Sequence, residues 1–332
     1  MDNEFWISEL TDDDVPAVVL LCRTALDLPE DAAEAAEIIL RLRETTGTEG
    51  WSTRPRRLAG FIALVPTGPG PAGGAALSGV PMSVAGGRVV GVVLGSVSHR
   101  DPSIGHVDLI AVDPAERRRG IGRALMSRVE GALAGLGAGD VVIAGNPPYY
   151  AWPGIDVRYT PAICAVSTFG FEQDQPAWNM TVDLTGEQPR PTEAAEKRLA
   201  DEGIVVRRAV LDDVPALVDF AQTNFNTLWE GEISHSVGRD RTGCHIAVDA
   251  DGTILGFAAY GSSRPSWFGP MGTTPAAQGK GIGSVLLRRC LAEQKAAGYD
   301  RVQIGWVGPL AFYSGAVAAR VERVFLLYRK QL

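Results

Sequence analysis

An α/β chain made of two copies of one fold is what the sequence predicts, on three observations. The chain has 332 residues, which suits about two domains of ordinary size. The stretch Gln278-Gly279-Lys280-Gly281-Ile282-Gly283 has a twin in Arg117-Arg118-Arg119-Gly120-Ile121-Gly122, and both read Gln/Arg-x-x-Gly-x-Gly. The run Asp-Asp-Val-Pro-Ala occurs at 13–17 and again at 212–216, independently of the glycines. The expected division is a first domain over 1–185, a linker over 186–203 and a second domain over 204–332.

Each copy begins with a strand-like run, Phe5-Trp6-Ile7 or Ile204-Val205-Val206-Arg207, and then a helix with Pro16 or Pro215 in its first turn. A second helix is predicted over Ala32 to Arg43. Leu58 to Val65 and Val89 to Leu94 read as strands, joined by a Gly/Pro-rich hairpin loop from Pro66 to Gly87. The second copy makes the same hairpin compactly, from His245 through Asp251-Gly252 to Tyr260. A fourth strand follows, Gly105 to Val112 or Trp267 to Thr273, and leads into the glycine motif. The helix behind it keeps apolar residues at helical spacing: Ile121, Leu125, Met126, Val129 and Leu133, or Ile282, Val285, Leu286, Cys290 and Leu291. Fifth strands are predicted at Asp140 to Ala144 and Arg301 to Ile304. Later strands fall at Gly170 to Glu172, Trp178 to Leu184 and Val324 to Tyr328. The polar stretch Thr185 to Ala200, with Pro189 and Pro191, reads as a linker carrying one helical turn or more.

Composition narrows the function classes. Apolar residues make up 45% of the chain, enough for two cores, and the net charge of −8 argues against broad nucleic-acid binding. The acidic Met1-Asp2-Asn3-Glu4 start is not a secretory signal, and no apolar run approaches membrane-spanning length. The four cysteines, Cys22, Cys164, Cys244 and Cys290, are scattered, and the four histidines lack metal-ligand spacing. The expectation is a cytoplasmic protein with free thiols and no metal.

The glycine motif carries the chemistry. Glycines let backbone N–H groups approach an anion without a Cβ in the way, and the helix start adds about 0.3–1 kcal/mol per anionic group. Arg117, Arg118, Arg119 and Arg123, or Lys280, supply charge to neighbouring phosphates. A P-loop is excluded, because Thr274 stands where its first glycine belongs and Gly281 follows Lys280. A dinucleotide fingerprint is excluded, because Ser284 occupies the place of its third glycine. Two matched copies after a strand favour a pyrophosphate site over a ligand-free turn.

The patterns Val112-Asp113-Pro114-x-x-Arg117-x-x-Gly120-x-Gly122 and Thr273-Thr274-Pro275-x-x-Gln278-x-x-Gly281-x-Gly283 resemble the GCN5-related N-acetyltransferases (GNAT), twice over nearly the whole chain. The resemblance implies two tandem domains, each a splayed mixed sheet flanked by helices. It also implies acetyl-CoA as donor. The pyrophosphate would sit on Gln278, Gly279, Lys280, Gly281, Ile282, Gly283 and Ser284, or on Arg117 to Arg123 with Gly120, Ile121 and Gly122. Backbone groups of the fourth strand, at Ile110 and Val112 or Met271 and Thr273, would hold the pantetheine arm and acyl carbonyl.

Such enzymes transfer an acyl group by direct amine attack, with an acid, often Tyr, protonating the thiolate. Tyr313 matches that tyrosine in the second copy, whereas Val166 stands at the place in the first. The expectation is therefore a catalytic second domain and a first domain kept for binding. Glu230 and Glu232 are candidate bases, and Trp229 falls in the same segment. In the first copy the excursion Asn146 to Thr160 offers Tyr150, Trp152 and Asp156 to an acceptor, with Trp306 in the second. These features resemble tandem enzymes that acetylate glucosamine and glucosaminides, and mycothiol synthases are a second tandem group. A small amine acceptor, an amino sugar first, is expected. A protein acetyltransferase and a non-catalytic CoA-binding protein stay open. Two fused copies imply a monomer that pairs its own sheets, or a homodimer.

Overall fold

The computed structural model describes residues 5–44, 57–66, 81–98, 100–225 and 229–332. Most of the expected hairpin loop from Pro66 to Gly87 lies outside these residues. The first half runs β1 (Trp6–Glu9), α1 (Val15–Ala25), α2 (Pro29–Ala33), α3 (Ala35–Arg43), β2 (Leu58–Val65), β3 (Arg88–Val97), β4 (Ile104–Val112), α4 (Ile121–Gly135), β5 (Asp140–Ile143), β6 (Ile155–Asp156), α5 (Thr160–Thr168) and β7 (Glu172–Asp183). After α6 (Glu193–Asp201) the second half runs β8 (Val205–Arg208), α7 (Val214–Phe225), α8 (Trp229–Ser236), β9 (Gly243–Val248), β10 (Ile254–Tyr260), β11 (Trp267–Thr273), α9 (Ile282–Ala296), β12 (Arg301–Ile304), α10 (Leu310–Val317) and β13 (Arg320–Gln331).

Two local expectations change. The single helix over 32–43 breaks at Glu34, whose backbone leaves the helical region (φ −98°, ψ 17°), giving α2 and α3. The predicted strands at 170–172 and 178–184 form one strand, β7, whose pairing with β13 shifts register opposite Pro176. The linker carries a nine-residue helix, α6, which buries Leu199.

The strands of both halves join in one mixed sheet of order β1-β2-β3-β4-β5-β13-β7-β12-β11-β10-β9-β8, with β6 paired to β13. The two halves exchange their closing strands. β13, from the end of the chain, lies antiparallel to β5 of the first half, with Tyr328 opposite Ile143. β7, from the first half, lies antiparallel to β12 of the second, with Val182 opposite Val302. The two exchanged strands pair with each other from Arg320–Thr181 to Arg329–Glu172.

Helices cover both faces. α4 packs its Ile121, Leu125, Met126, Val129 and Leu133 against β2, β3 and β5, together with Val166 and with Tyr328 from β13. α1 and α3 cover the other face of the same strands with Val18, Leu21, Ile38, Ile39 and Leu42. In the second half α9 repeats the role of α4, and α7 and α8 repeat that of α1 and α3. The cores therefore follow the apolar periodicity, except that each borrows a strand.

Candidate functional site

The glycine turns form as the sequence predicts. In the first, Asp113 Oδ1 accepts from the Ala115 amide at 2.9 Å. Arg118 (φ 68°) and Gly120 (φ 88°) take left-handed backbone, and α4 starts at Ile121 with its first amides facing out of the turn. The second repeats this at Gly279 (φ 82°) and Gly281 (φ 87°), where α9 begins. In each half the two strands beside the turn part early. β4 pairs with β5 only over Ile104–His106, and β11 pairs with β12 only at Trp267 and Phe268.

Beyond that point the halves differ. In the first, the gap opens into a cavity of about 610 Å³. Its walls come from β4 (Val107 to Val112), the glycine turn, β5 and the following segment (Ile143 to Asp156), α5, and the ends of α1 and α3. A Cβ placed on Gly122 would meet only Val112 Cγ2, at 3.9 Å. In the second half a Cβ on Gly283 would meet Met271 Cε and Phe312 Cζ, both at 3.4 Å, and Thr273 Oγ1 at 3.5 Å. Met271 and Phe312 there pack on the core, and Phe225 lies against Gly272. Ile110, the match of Met271, has the shorter side chain and lines the first gap.

The basic residues of the first turn divide into two pairs. Arg117 is part of the scaffold: it donates to Val112 O (3.2 Å), Ala25 O (3.0 Å) and Asp27 (3.0 Å). Arg119 is paired with Glu116. Arg118 is exposed, lines the cavity and makes no ion pair among the described residues. Arg123 also lines it and leans on Phe169 at 5.1 Å. Arg118 and Arg123 are thus the cations available to phosphates. In the second turn Lys280 faces Glu202 at 3.4 Å, Gln278 and Gly279 are exposed, Ile282 is core and Ser284 is half-buried. Arg198 of α6 reaches within 3.8 Å of a Cβ on Gly281.

Tyr313 is 6% exposed and stacks edge-on with Phe268 and Phe312 at 6.3 and 5.1 Å. Burial raises its phenol above the ordinary value. Trp229 packs in an aromatic cluster with Phe225 and Phe257, beneath β10.

The excursion after β5 is largely buried between the halves. Asp156, expected to meet an ammonium, is instead committed: its oxygens accept from Arg158 (2.8 Å) and from Arg323 of β13 (2.6 Å). Arg323 also holds Asp31 at 2.8 Å, which in turn holds Arg264 at 2.6 Å. Burial alone would raise the Asp31 carboxyl, but the charges of Arg264 and Arg323 overcome it and hold it at about 2. Tyr150 lines the cavity, yet its hydroxyl turns to the second half and bonds Glu232 and Ser263. Burial pushes the Glu232 carboxyl up to about 8, against the Tyr150 bond and the Arg41 charge. Glu230, on the half-buried side of α8, acts on Arg100 through its charge. Trp306 (φ 46°) donates its amide to Asn179 at 2.9 Å and meets Tyr150 edge-on at 5.8 Å. Glu232, Tyr150 and Trp306 therefore converge, although they come from both halves.

Sequence reasoning passed over Asp108. It sits on β4 just past the parting of the strands and lines the cavity. The signal was present, because Asp108 is the one carboxylate in the mostly apolar run Ile104 to Val112. Among the described residues no group of three or more His, Cys, Asp or Glu is placed to hold a metal ion, and no helix is long and apolar enough to cross a membrane.

The family model described as Acetyltransferase (GNAT) family matches residues 38–148 and again 212–313. No match is found among curated proteins. Among solved structures, a GCN5-related glucosamine N-acetyltransferase region of a fungal multi-domain GH3 β-N-acetylglucosaminidase is similar, with TM-score 0.70 and 18% identity. The match covers 98% of this chain but 38% of that one. A GCN5-related N-acetyltransferase from Sphaerobacter thermophilus gives 0.64 at 19% identity over 100% and 96% of the two chains. A tandem GNAT protein from the clavulanic acid biosynthesis pathway gives 0.63 at 17% over 99% and 98%. At these identities the likeness is one of fold.

Proposed function

Because the chain belongs to the acetyltransferase (GNAT) family, whose members use acetyl-CoA, we propose that it moves an acetyl group from acetyl-CoA to the primary amine of a small acceptor in the cleft of its first half. The observation that carries this is the contrast between two matched gaps. One opens into about 610 Å³ beside an unobstructed glycine turn, and the other holds Met271 and Phe312. The assignment reverses the expectation drawn from Tyr313.

The residues fit the donor. The amides of the turn and the start of α4 face its pyrophosphate, with Arg118 and Arg123 beside it. Arg117 and Arg119 hold the turn in shape. The backbone of β4 at Ile110 and Val112, freed by the parting of β5, pairs with the pantetheine arm. The apolar walls Leu26, Val166 and Phe169 keep water from the thioester. Asp108 takes one proton from the acceptor ammonium. The freed amine attacks the carbonyl, a C–N bond forms, the C–S bond breaks, and the nitrogen's second proton goes to the departing sulfur. An amino sugar is the first acceptor to test. The aromatic walls Tyr150 and Trp152 suit it, and the fungal region of like fold is described as a glucosamine N-acetyltransferase.

Thiol release from acetyl-CoA, with glucosamine and a panel of primary amines, tests the assignment in three proteins. Gly122→Val fills space that the fold leaves empty, so it should abolish release while thermal stability holds. Tyr313→Phe should leave release within about twofold, since a group outside the reacting site adds little. A large loss of turnover in Tyr313→Phe with donor affinity retained would instead move the reaction to the second half.

A further inference from the structure

One wall of the first-half cleft is the segment between β5 and β6, which supplies Ala144, Gly145, Tyr150, Ala151 and Trp152. No strand or helix forms between Ile143 and Ile155, so no regular backbone pairing holds this wall in place. Side chains hold it, and several come from the second half. Asn146 ties the start of the segment to Ser96 at 2.8 Å. Beyond it, Glu232 and His235 stand three residues apart on α8 and so share one face of that helix. His235 meets the Tyr149 ring edge-on at 5.1 Å, and Glu232 bonds the Tyr150 hydroxyl together with Ser263. Trp306 closes on the same place. Its ring is edge-on to Tyr150 at 5.8 Å, and a Cβ on Gly145 would lie 2.9 Å from both rings.

Glu232 is the costly member of this group. It is 5% exposed, and the residues that line the cleft all come from the first half, so it stands outside the cleft walls. A buried carboxyl is unfavourable unless its partners hold it, and a leucine there would pack without that cost. What a leucine cannot do is hold a hydroxyl in one direction. The Tyr150 ring lines the cleft while its hydroxyl turns to α8, so the bond to Glu232 sets where the ring stands. We infer that Glu232 is a positioning residue for the reaction of the first half: through Tyr150 it fixes the wall against which the acceptor lies, and the second half so serves a cleft that it does not line. The inference rests on the first half being the reacting half. It also stands against Glu232 as the general base, a task that would need its carboxyl at the acceptor nitrogen.

A double-mutant cycle reads the link. The acceptor is glucosamine, or the amine of the panel that wild type acetylates fastest. Kinetics are measured for wild type, Tyr150→Phe, Glu232→Ala, the two together, and Glu232→Gln. Each of the first two variants should raise the acceptor KM about tenfold, with kcat within about threefold and the KM for acetyl-CoA unchanged. The double variant should lose no more than the worse single one. Glu232→Gln, whose amide oxygen still accepts from the phenol, should restore the wild-type KM. Losses that multiply in the double variant, or KM values for both substrates that rise together, would mark a merely structural Glu232 and overturn the inference. A kcat that collapses in Glu232→Gln as in Glu232→Ala would make Glu232 a base and overturn it too. Should Glu232→Ala fail to fold, Tyr150→Phe and Glu232→Gln decide: the first must raise the acceptor KM and the second must not. Calorimetric titration with the same amines keeps the two readings apart. An amine that binds without being acetylated defeats the proposed reaction, and the cycle is then read on Kd. An amine acetylated equally well by all five proteins defeats the Glu232 link and leaves the reaction standing. A panel of which no member binds defeats both.

Discussion

Two carboxyls in the same region have opposite tasks. In the proposed reaction Asp108, which lines the cleft where β4 leaves β5, takes a proton from an ammonium. Asp108→Asn keeps the shape and removes the basicity. Its kcat should fall by about 10²-fold or more, the usual weight of a positioned base, with little change in the KM for acetyl-CoA. Single-turnover thiol release measures this, and an unchanged rate would dismiss the role. Glu232 is held among protein groups instead, bonded to Tyr150 and near Arg41, and its pKa stands at about 8 against 4.5 unfolded. A raised pKa means that the folded state holds the proton more tightly. The stability this gives is complete below about pH 4.5 and drains away as pH rises to about 8. Glu232→Gln does not titrate. The melting temperatures of wild type and variant should therefore agree near pH 5, relative to their low-pH offset, and diverge in favour of the variant by several degrees at pH 8. Parallel curves across that range would mean that Glu232 is ionised in the fold.

At the scale of elements, the glycine turn and β13 show what the sequence can and cannot convey. The turn was legible because its cause is local: Pro114 restricts its own φ, Gly120 takes a left-handed angle that other residues avoid, and Ile121 opens a helical apolar period. The filling of the second turn was half legible, since Met271 is longer than its match Ile110, but that Phe312 folds onto Gly283 depends on how α10 docks. The place of β13 was not legible. Its residues alternate as a closing strand should, and nothing in the pattern says which half's sheet it closes. What secures it is a buried charge, Arg323, 1% exposed and bonded to both Asp31 and Asp156. Asp156 looked like a free carboxylate in a loop because one of its two arginine partners, Arg323, lies 167 residues away. Removing one member of such a network strands the others, which typically costs about 3–5 kcal/mol. Arg323→Ala should lower the unfolding free energy by that amount, read as a fall in urea midpoint with the slope unchanged, and a loss under about 1 kcal/mol would show the network to be relaxed by water.

The whole molecule is one folding unit in spite of its two repeats, because the strand exchange makes each half incomplete. A piece holding residues 1–185 keeps β5 but loses β13, and so exposes the edge of β5 and the face of Tyr328's contacts on α4. It also keeps β7, which has lost both of its neighbours, β13 and β12. A piece holding 204–332 has the converse defect: β12 loses β7, and β13 projects with no sheet to join. Long open edges of this kind pair with other chains rather than stay in solution. The expected boundary separates strands that the sheet pairs across it. Cleavage of the intact protein in the linker between 186 and 192, by an inserted protease site, should leave the two pieces associated through β7 and β13 and still able to release thiol from acetyl-CoA. The same two pieces expressed separately should be insoluble or aggregated, and should recover activity only when refolded together. Size-exclusion chromatography with the thiol assay reads both results. A soluble, acetyl-CoA-binding piece of 1–185 alone would show that β7 can fold back beside β5. The exchange would then be one of two available closures and not a condition of the fold.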